Sequence, residues 1–397
     1  MLIKRRGFIQ LGSLATASMM MPKFLKAFER PALVPPGNKV VVVIQLSGGN
    51  DGLNTVVPIS NDIYYRERPK LGITKEQALR LTDDAGLNPA LTAFKGLYDD
   101  GSLGIMNGVG YPNPDRSHFR SMDIWQSASQ SDQYVNTGWI GRYLDAQCKG
   151  CDKPTQALEL DDMLSMALKG EHQKGLAFKD PRRLYSSSNE RFYKDINANH
   201  HSSEETVDYL YKTMSETLSS ADYIFQQSKL HPTQATYPTT ELGKNLKTIS
   251  SLIHSDINTK VYYVSLGSFD THVNQEAQQR RLFTELNDAV KAFTDDMKAN
   301  GRFDDVLLMS FSEFGRRVSQ NASNGTDHGT ANNMFLVSGG LKKKGLLNDM
   351  PNLSDLNEGD LKHTVDFKSV YATVLKNWLG TDDEAILGKK YAHLDFV

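Results

Sequence analysis

Four stretches of the chain are apolar at nearly every position and bounded by turn residues: 40–44, 103–106, 261–266 and 306–311. A fifth candidate, Met-Phe-Leu-Val, occupies 334–337. A strand half exposed to water alternates apolar with polar residues, whereas a strand covered on both faces reads as a continuous run. These five segments therefore predict buried strands. Between them the apolar residues recur at helical spacing. Val207, Leu210, Tyr211, Met214, Leu218, Ala221 and Phe225 form one such stripe, and Leu282, Leu286, Val290, Phe293 and Met297 form another. A further helix is expected over residues 367–379. Strands alternating with helices predict an α/β fold, a doubly wound and mostly parallel central sheet flanked by helices. Residues 180–204 are polar, with Ser186-Ser-Ser-Asn189 in their midst, and are expected as an exposed excursion.

The start of the chain has a different character. Residues 31–38 carry three prolines and a glycine and read as a linker. Ahead of it, residues 1–30 hold Lys4-Arg5-Arg6, a weakly apolar run from Leu11 to Met21, and then the basic stretch Pro22-Lys23-Phe24-Leu25-Lys26. The apolar run is shorter than the roughly 20 residues that cross a bilayer. The arrangement resembles a bacterial twin-arginine export signal. It implies the twin-arginine export machinery as a partner, a periplasmic or otherwise exported location, and no transmembrane segment in the mature chain. No repeat or second composition class follows, so residues 39–397 are expected as one domain.

Charge then changes the picture. The 397 residues contain 45 Lys+Arg and 47 Asp+Glu, a formal net charge of −2. Residues 1–30 account for six of the basic residues and one acidic one, so the remainder carries −7. An acidic domain with no basic stripe argues against nucleic acid as a partner. Two cysteines exclude a disulfide-rich scaffold. Cys148-Lys-Gly-Cys151 has no second cysteine pair to complete a zinc site, and in an oxidising compartment a small local disulfide is the expected reading.

In open α/β sheets ligands bind beyond the carboxyl ends of the strands. The polar groups there are concentrated in four segments: Ser47-Gly-Gly-Asn-Asp51-Gly52, Ser268-Phe-Asp270-Thr-His272, Ser312-Glu313-Phe-Gly-Arg316-Arg317, and Gly325-Thr-Asp327-His328-Gly329. Carboxylates gathered in this way repel one another unless a cation joins them. Asp51, Asp270, His272, Glu313, Asp327 and His328 are thus candidate metal ligands. Mixed His and carboxylate ligation suits zinc or manganese better than calcium. Singly, each has a plainer role: Asp51 before Gly52 suits a tight turn, and His328 between polar loop residues suits a surface loop.

Residues 41–54 (VVVIQLSGGNDGLN), 267–272 (GSFDTH), 312–317 (SEFGRR) and 325–340 (GTDHGTANNMFLVSGG) resemble the family catalogued as domain of unknown function 1501. The resemblance covers residues 40–380, and the motif order is similar to the alkaline phosphatase superfamily of phosphatases, sulfatases, phosphodiesterases and phosphomutases. It implies an alkaline-phosphatase-like fold, metal ligation by Asp51, Asp270, Glu313 and His328, and a nucleophile at a helix start. Ser117 is the candidate, with His118 beside it as ligand, acid/base or packing residue. Ser117 equally suits the N-cap of that helix. Arg116, Arg316 or Arg317 would clamp the transferring group, although Arg316 and Arg317 equally suit pairing with Glu313 or capping a helix. Two departures stand out. His272 follows Asp270 by two positions where the superfamily usually has a longer spacing, and Glu313-Phe314 replaces Asp-His, so the number of ions stays open. No Cys-x-Pro-x-Arg occurs, which excludes a formylglycine sulfatase. The function implied is an exported metal-dependent hydrolase of phosphate or sulfate esters, acting on a small anionic ester or a polysaccharide-linked substrate. The alternative is a non-catalytic exported binding or assembly protein on the same fold with a degenerate metal site.

Overall fold

The central strand β1, Val40–Leu46, is buried at every position. Its side chains divide between two cores, Val40, Val42, Ile44 and Leu46 to one face and Val41 and Val43 to the other. That is why the run contains no polar alternation. In this computed structural model, which describes residues 37–147, 155–190 and 205–397 (without the side chains of 205–214), Lys39–Val397 form one compact unit. The export-signal expectation, most of the linker, Cys148 and Cys151 lie outside the described residues.

The other strands of the main sheet are β2 Leu103–Gly110, β3 Ala157–Glu159, β4 Leu176–Ala177, β5 Val261–Leu266, β6 Val306–Phe311, β7 Asn332–Val337, β8 Gly345–Leu346 and β9 Val365–Asp366. Their order is β8-β2-β7-β6-β1-β5-β3-β4, with β9 paired to β2. All five expected strands are present, and the sheet is mostly parallel and flanked by helices as expected. The exception is β7, which is antiparallel to both β6 and β2.

That reversal decides where the chemistry lies. In β1, Gln45 pairs with Ser265 of β5 and Phe311 of β6, so these three carboxyl ends are level. Because β7 runs the other way, its amino end, with the segment 325–331 before it, lies at the same edge. Strand β2 is antiparallel to β7, which brings the segment after Gly110 there too. Five loops therefore meet at one sheet edge.

Helices α1 Thr92–Asp99, α5 Glu205–Leu230, α6 Glu241–His254 and α7 Gln275–Ala299 belong to one face, through Phe94, Ile224, Leu246 and Phe283 among others. Helices α2 His118–Ser127, α3 Trp139–Gln147 and α8 Phe367–Thr373 cover the other, through Trp125, Trp139 and Phe367. Trp125 stacks on both Phe311 and Phe367, at centroid separations of 5.0 and 4.1 Å. Burying side chains of this size contributes about 1.5–3 kcal/mol each.

Within the stretch expected as an exposed excursion, the described residues form a short helix, α4, Pro181–Ser188, most of it exposed or half-buried. Asp180 accepts from the Arg183 N–H and Pro181 supplies the preset first-turn φ, an Asp-Pro start that overrides the poor propensity of the serines. The helix expected over 367–379 is α-helical only to Thr373 and continues as a π turn over Val374–Trp378. The indole N–H of Trp378 donates to the Val40 carbonyl at 3.1 Å, anchoring that turn beneath the sheet.

Candidate metal centre

The turn after β1 is shaped by close approach. Gly48 and Gly49 have φ of +118° and +73°, and a Cβ on Gly48 would lie 2.5 Å from the Asp270 amide nitrogen. A Cβ on Gly49 would enter the Phe314 ring. Only glycine allows the loops after β1, β5 and β6 to touch.

Into this junction projects Arg316, fully buried. Its Nε donates to the Gly49 carbonyl at 2.6 Å, and Nη1 to the Thr326 carbonyl at 2.9 Å. Its Nη2 reaches the carbonyls of Gly48 and Phe269 and lies 2.8 Å from Asp270 Oδ1. Its other Nη1 hydrogen faces His272 Nε2, 3.4 Å away, so the guanidinium ties three loops together and has no donor left for a ligand. It positions Asp270, rather than pairing with Glu313. Burial opposes ionisation of Asp270, but Arg316, with His272 and His328, holds its pKa below the usual carboxylate range.

Three histidines converge on Asp270. His272 Nε2 is 3.0 Å from Asp270 Oδ1, His328 Nε2 is 3.3 Å from the same oxygen, and His118 Nε2 is 3.5 Å from Oδ2. In each ring the opposite nitrogen is held by an acceptor: His118 Nδ1 by Glu313 Oε1 at 2.9 Å, His328 Nδ1 by the Arg116 carbonyl at 2.8 Å, and His272 Nδ1 by Asp327 Oδ1 at 3.3 Å. A carbonyl or carboxylate only accepts, so an acceptor faces each ring on both sides, Asp270 lying against every Nε2. With Nδ1 protonated in a neutral ring, Nε2 turns its lone pair toward the Asp270 oxygens, an arrangement that a cation between them relieves. The Nε2 atoms of His272 and His328 are 3.0 Å apart. Two lone pairs at that distance repel unless a proton or a cation lies between them.

The donor set fits a first-row divalent ion. Ligands about 2.0–2.1 Å from a tetrahedral zinc stand about 3.3 Å from one another, close to the separations found here. The ligand atoms of His118, Asp270 and His328 all lie within 4.8 Å of one another. His118 Nε2 is buried with no hydrogen-bond partner. An acceptor on Nδ1 of each histidine is the second layer that metal-binding histidines require. Glu313 raises the pKa of His118, whereas burial lowers that of His328.

The candidate ligands from sequence therefore separate into three groups. Asp270, His272 and His328 stand at the centre, joined by His118, which was expected only as one of several roles. Glu313 and Asp327 lie behind the histidines, as acceptors. Asp51 is elsewhere: it is buried, its Oδ2 is 2.6 Å from Arg68 Nη1 and accepts from Gln275, and its Oδ1 caps the turn at the Leu53 N–H. Its turn role is the one the structure displays. Arg68 and Gln275 went unnoticed because neither adjoins a strand end.

Ser117 stands at the N-cap position of α2, exposed, and its hydroxyl makes no capping bond. Instead Asp115 accepts from the Ser117 amide at 2.7 Å. Arg116 and Arg317 both face the buried Asp360, so neither is a free clamp.

The chain belongs to the family described as protein of unknown function (DUF1501), which matches residues 101–393. No curated protein matches it. Among solved structures it is similar to the PsFucS1 sulfatase from Pseudoalteromonas sp. (12% identity, 94% of this chain and 72% of that one, TM-score 0.41). It is also similar to the zinc complex of the C-terminal periplasmic domain of EcEptC from Escherichia coli (11%, 77% and 74%, TM-score 0.38). A third is a protein in the alkaline phosphatase superfamily from Vibrio parahaemolyticus (10%, 90% and 71%, TM-score 0.37). No helix among the described residues is long and apolar enough to cross a membrane.

Proposed function

We propose that this chain is an exported metal-dependent hydrolase of phosphate or sulfate esters, its centre formed by His118, Asp270, His272 and His328. The observation that carries the reading is the convergence of three imidazole Nε2 atoms on one carboxylate, each ring fixed through Nδ1. A zinc or manganese ion bound there would lower the pKa of an attacking hydroxyl and stabilise charge on the transferring group.

Ser117 is the nucleophile in this reading. It adjoins His118, its hydroxyl is uncommitted as a cap, and the unpaired amides of the first turn of α2 favour an anionic group. Its oxygen attacks phosphorus or sulfur in line, the ester oxygen departs with a proton as the alcohol, and water then releases phosphate or sulfate from Ser117. Arg316 keeps Asp270 ionised and in place. Twin-arginine export and a small anionic or polysaccharide-linked ester follow from the sequence resemblance.

One observation favours a second reading, a binding or assembly protein: Arg316, fully buried at the centre, has all its donors committed to protein, His272 Nε2 among the acceptors. The test separates the two. Protein purified without chelator is assayed for metal and for turnover of phosphate mono- and diesters and sulfate esters. Bound metal, with turnover abolished by Ser117→Ala while the metal is retained, supports the hydrolase. Bound metal with no turnover of any ester class leaves the binding protein. A metal-free protein, with the same content after His328→Ala, removes the metal reading altogether.

A further inference from the structure

Beside the metal centre lies an open cleft of about 320 Å³. Three of the segments that build the centre also wall the cleft, through Asp115, Phe314 and Thr330. Phe314 is the shared partition, its ring centroid 4.9 Å from that of His118 and 4.7 Å from that of His328. The far wall comes from a segment the metal centre does not use, and it includes Asn357 and His363.

We infer that this cleft receives the alcohol portion of the ester, that this alcohol is a neutral, hydroxyl-rich ring of the sugar class, and that His363 is a side chain that recognises it. The inference rests on the ester-hydrolase reading for what is transferred, but the cleft's own ligand can be tested apart from it.

The lining determines the class. Asn113, Asn357 and His363 place amide and imidazole groups around an apolar floor that includes Leu361 and Phe314, while the Thr330 hydroxyl is already committed to the Leu361 carbonyl. A lipid chain would leave those polar groups facing hydrocarbon, at a cost for each one unpaired. A second anionic group would meet the Asp115 carboxylate, and the one lysine in the wall, Lys362, is already paired with Asp355. A neutral polyol meets neither penalty. His363 is half-buried and makes no hydrogen bond among the described residues. Burial lowers its pKa, so the ring is neutral and offers one donor and one acceptor, the complement of a hydroxyl.

The test follows the His363 ring by NMR in the full metal-loaded chain during titration with methyl glucoside, methyl galactoside, maltose and, as the apolar control, octanol. The expected result is a saturable shift with at least one sugar and none with octanol. His363→Ala and Asn113→Ala, both at the cleft surface, should weaken sugar binding about tenfold, measured by titration calorimetry because the first variant has no His363 ring to follow. In turnover, His363→Ala should raise KM for a hexose phosphate or sulfate about tenfold and leave its kcat within twofold. A His363 signal that no sugar moves, or that octanol moves equally, overturns the inference, as does unchanged sugar affinity in His363→Ala. Sugar binding without ester turnover sustains the cleft and fails the hydrolase reading. Turnover without sugar binding does the reverse.

Discussion

His118 Nδ1 lies 2.9 Å from Glu313 Oε1, and Nε2 of the same ring faces Asp270 with no hydrogen-bond partner. Glu313 is itself buried and held by the Gly48 amide at 2.8 Å. A carboxylate fixed to the β1 turn thus orients a histidine at the start of α2. The expected consequence is graded. His118→Ala should abolish metal binding, whereas Glu313→Gln should retain it with affinity about 10–100-fold weaker, as for other partners of ligand histidines. Competition against a chelating dye measures both. Equal loss in the two variants would make Glu313 a ligand instead.

Asp51 and Arg68 form an ion pair with side chains 1% and 0% exposed. Removing one member leaves a buried charge unpaired, at about 3–5 kcal/mol. Arg68→Ala and Asp51→Ala should each lower the denaturation midpoint by a corresponding amount, and Asp51→Asn by less. Metal content of folded Asp51→Asn should equal that of the wild type. Metal loss from Asp51→Asn at an unchanged midpoint would return Asp51 to the ligand set.

Part of this was legible in the sequence and part was not, for reasons that can be located. The continuous run at 40–44 announces burial on both faces, because no polar residue interrupts it. Clustered Asp, Glu and His after β5 and β6 point to the right sheet edge. The sequence does not say which carboxylates face the candidate centre. Asp51, Asp270 and Glu313 all follow strands, and what separates them is a distant partner: Arg68 for the first, three histidines for the second, His118 Nδ1 for the third. Nor does an apolar run disclose its direction. That Asn332–Val337 is antiparallel emerges only from its pairing with Met309 and Leu308 of β6. His363 was missed because it follows no strand of the main sheet and joins the cleft only through tertiary packing.

Arg316→Lys offers a further test of how the centre is held. Lysine has three donors on a point charge and cannot reproduce a planar fork that joins the carbonyls of Gly48, Gly49, Phe269 and Thr326. Each buried carbonyl left unpaired costs about 1–3 kcal/mol. The variant should be destabilised by several kcal/mol in chemical denaturation. Asp270 should also lose its orientation, so the metal should exchange faster. A variant as stable as wild type would mean that the fork contributes little.

Glu159, at the end of β3, gives the fold a pH dependence of its own. It is 1% exposed, and burial pushes its pKa up to about 7 although the Ser165 amide, at 2.6 Å, and hydroxyl donate to it. The unfolded chain returns it to the ordinary value of 4.5. Between those two values the folded state binds the extra proton, so its contribution to stability is fully present below about 4.5. It is then lost as pH rises through about 7. A difference of this size corresponds to about 3 kcal/mol, lost in full by pH 8. Glu159→Gln cannot ionise and keeps an oxygen for Ser165. Its stability relative to wild type should therefore rise between pH 5 and pH 8 and level off above that. Urea denaturation at four pH values across the range measures it, with metal saturating throughout so that the histidines do not contribute their own titration. Parallel curves for the two proteins would show that Glu159 ionises normally in the folded state.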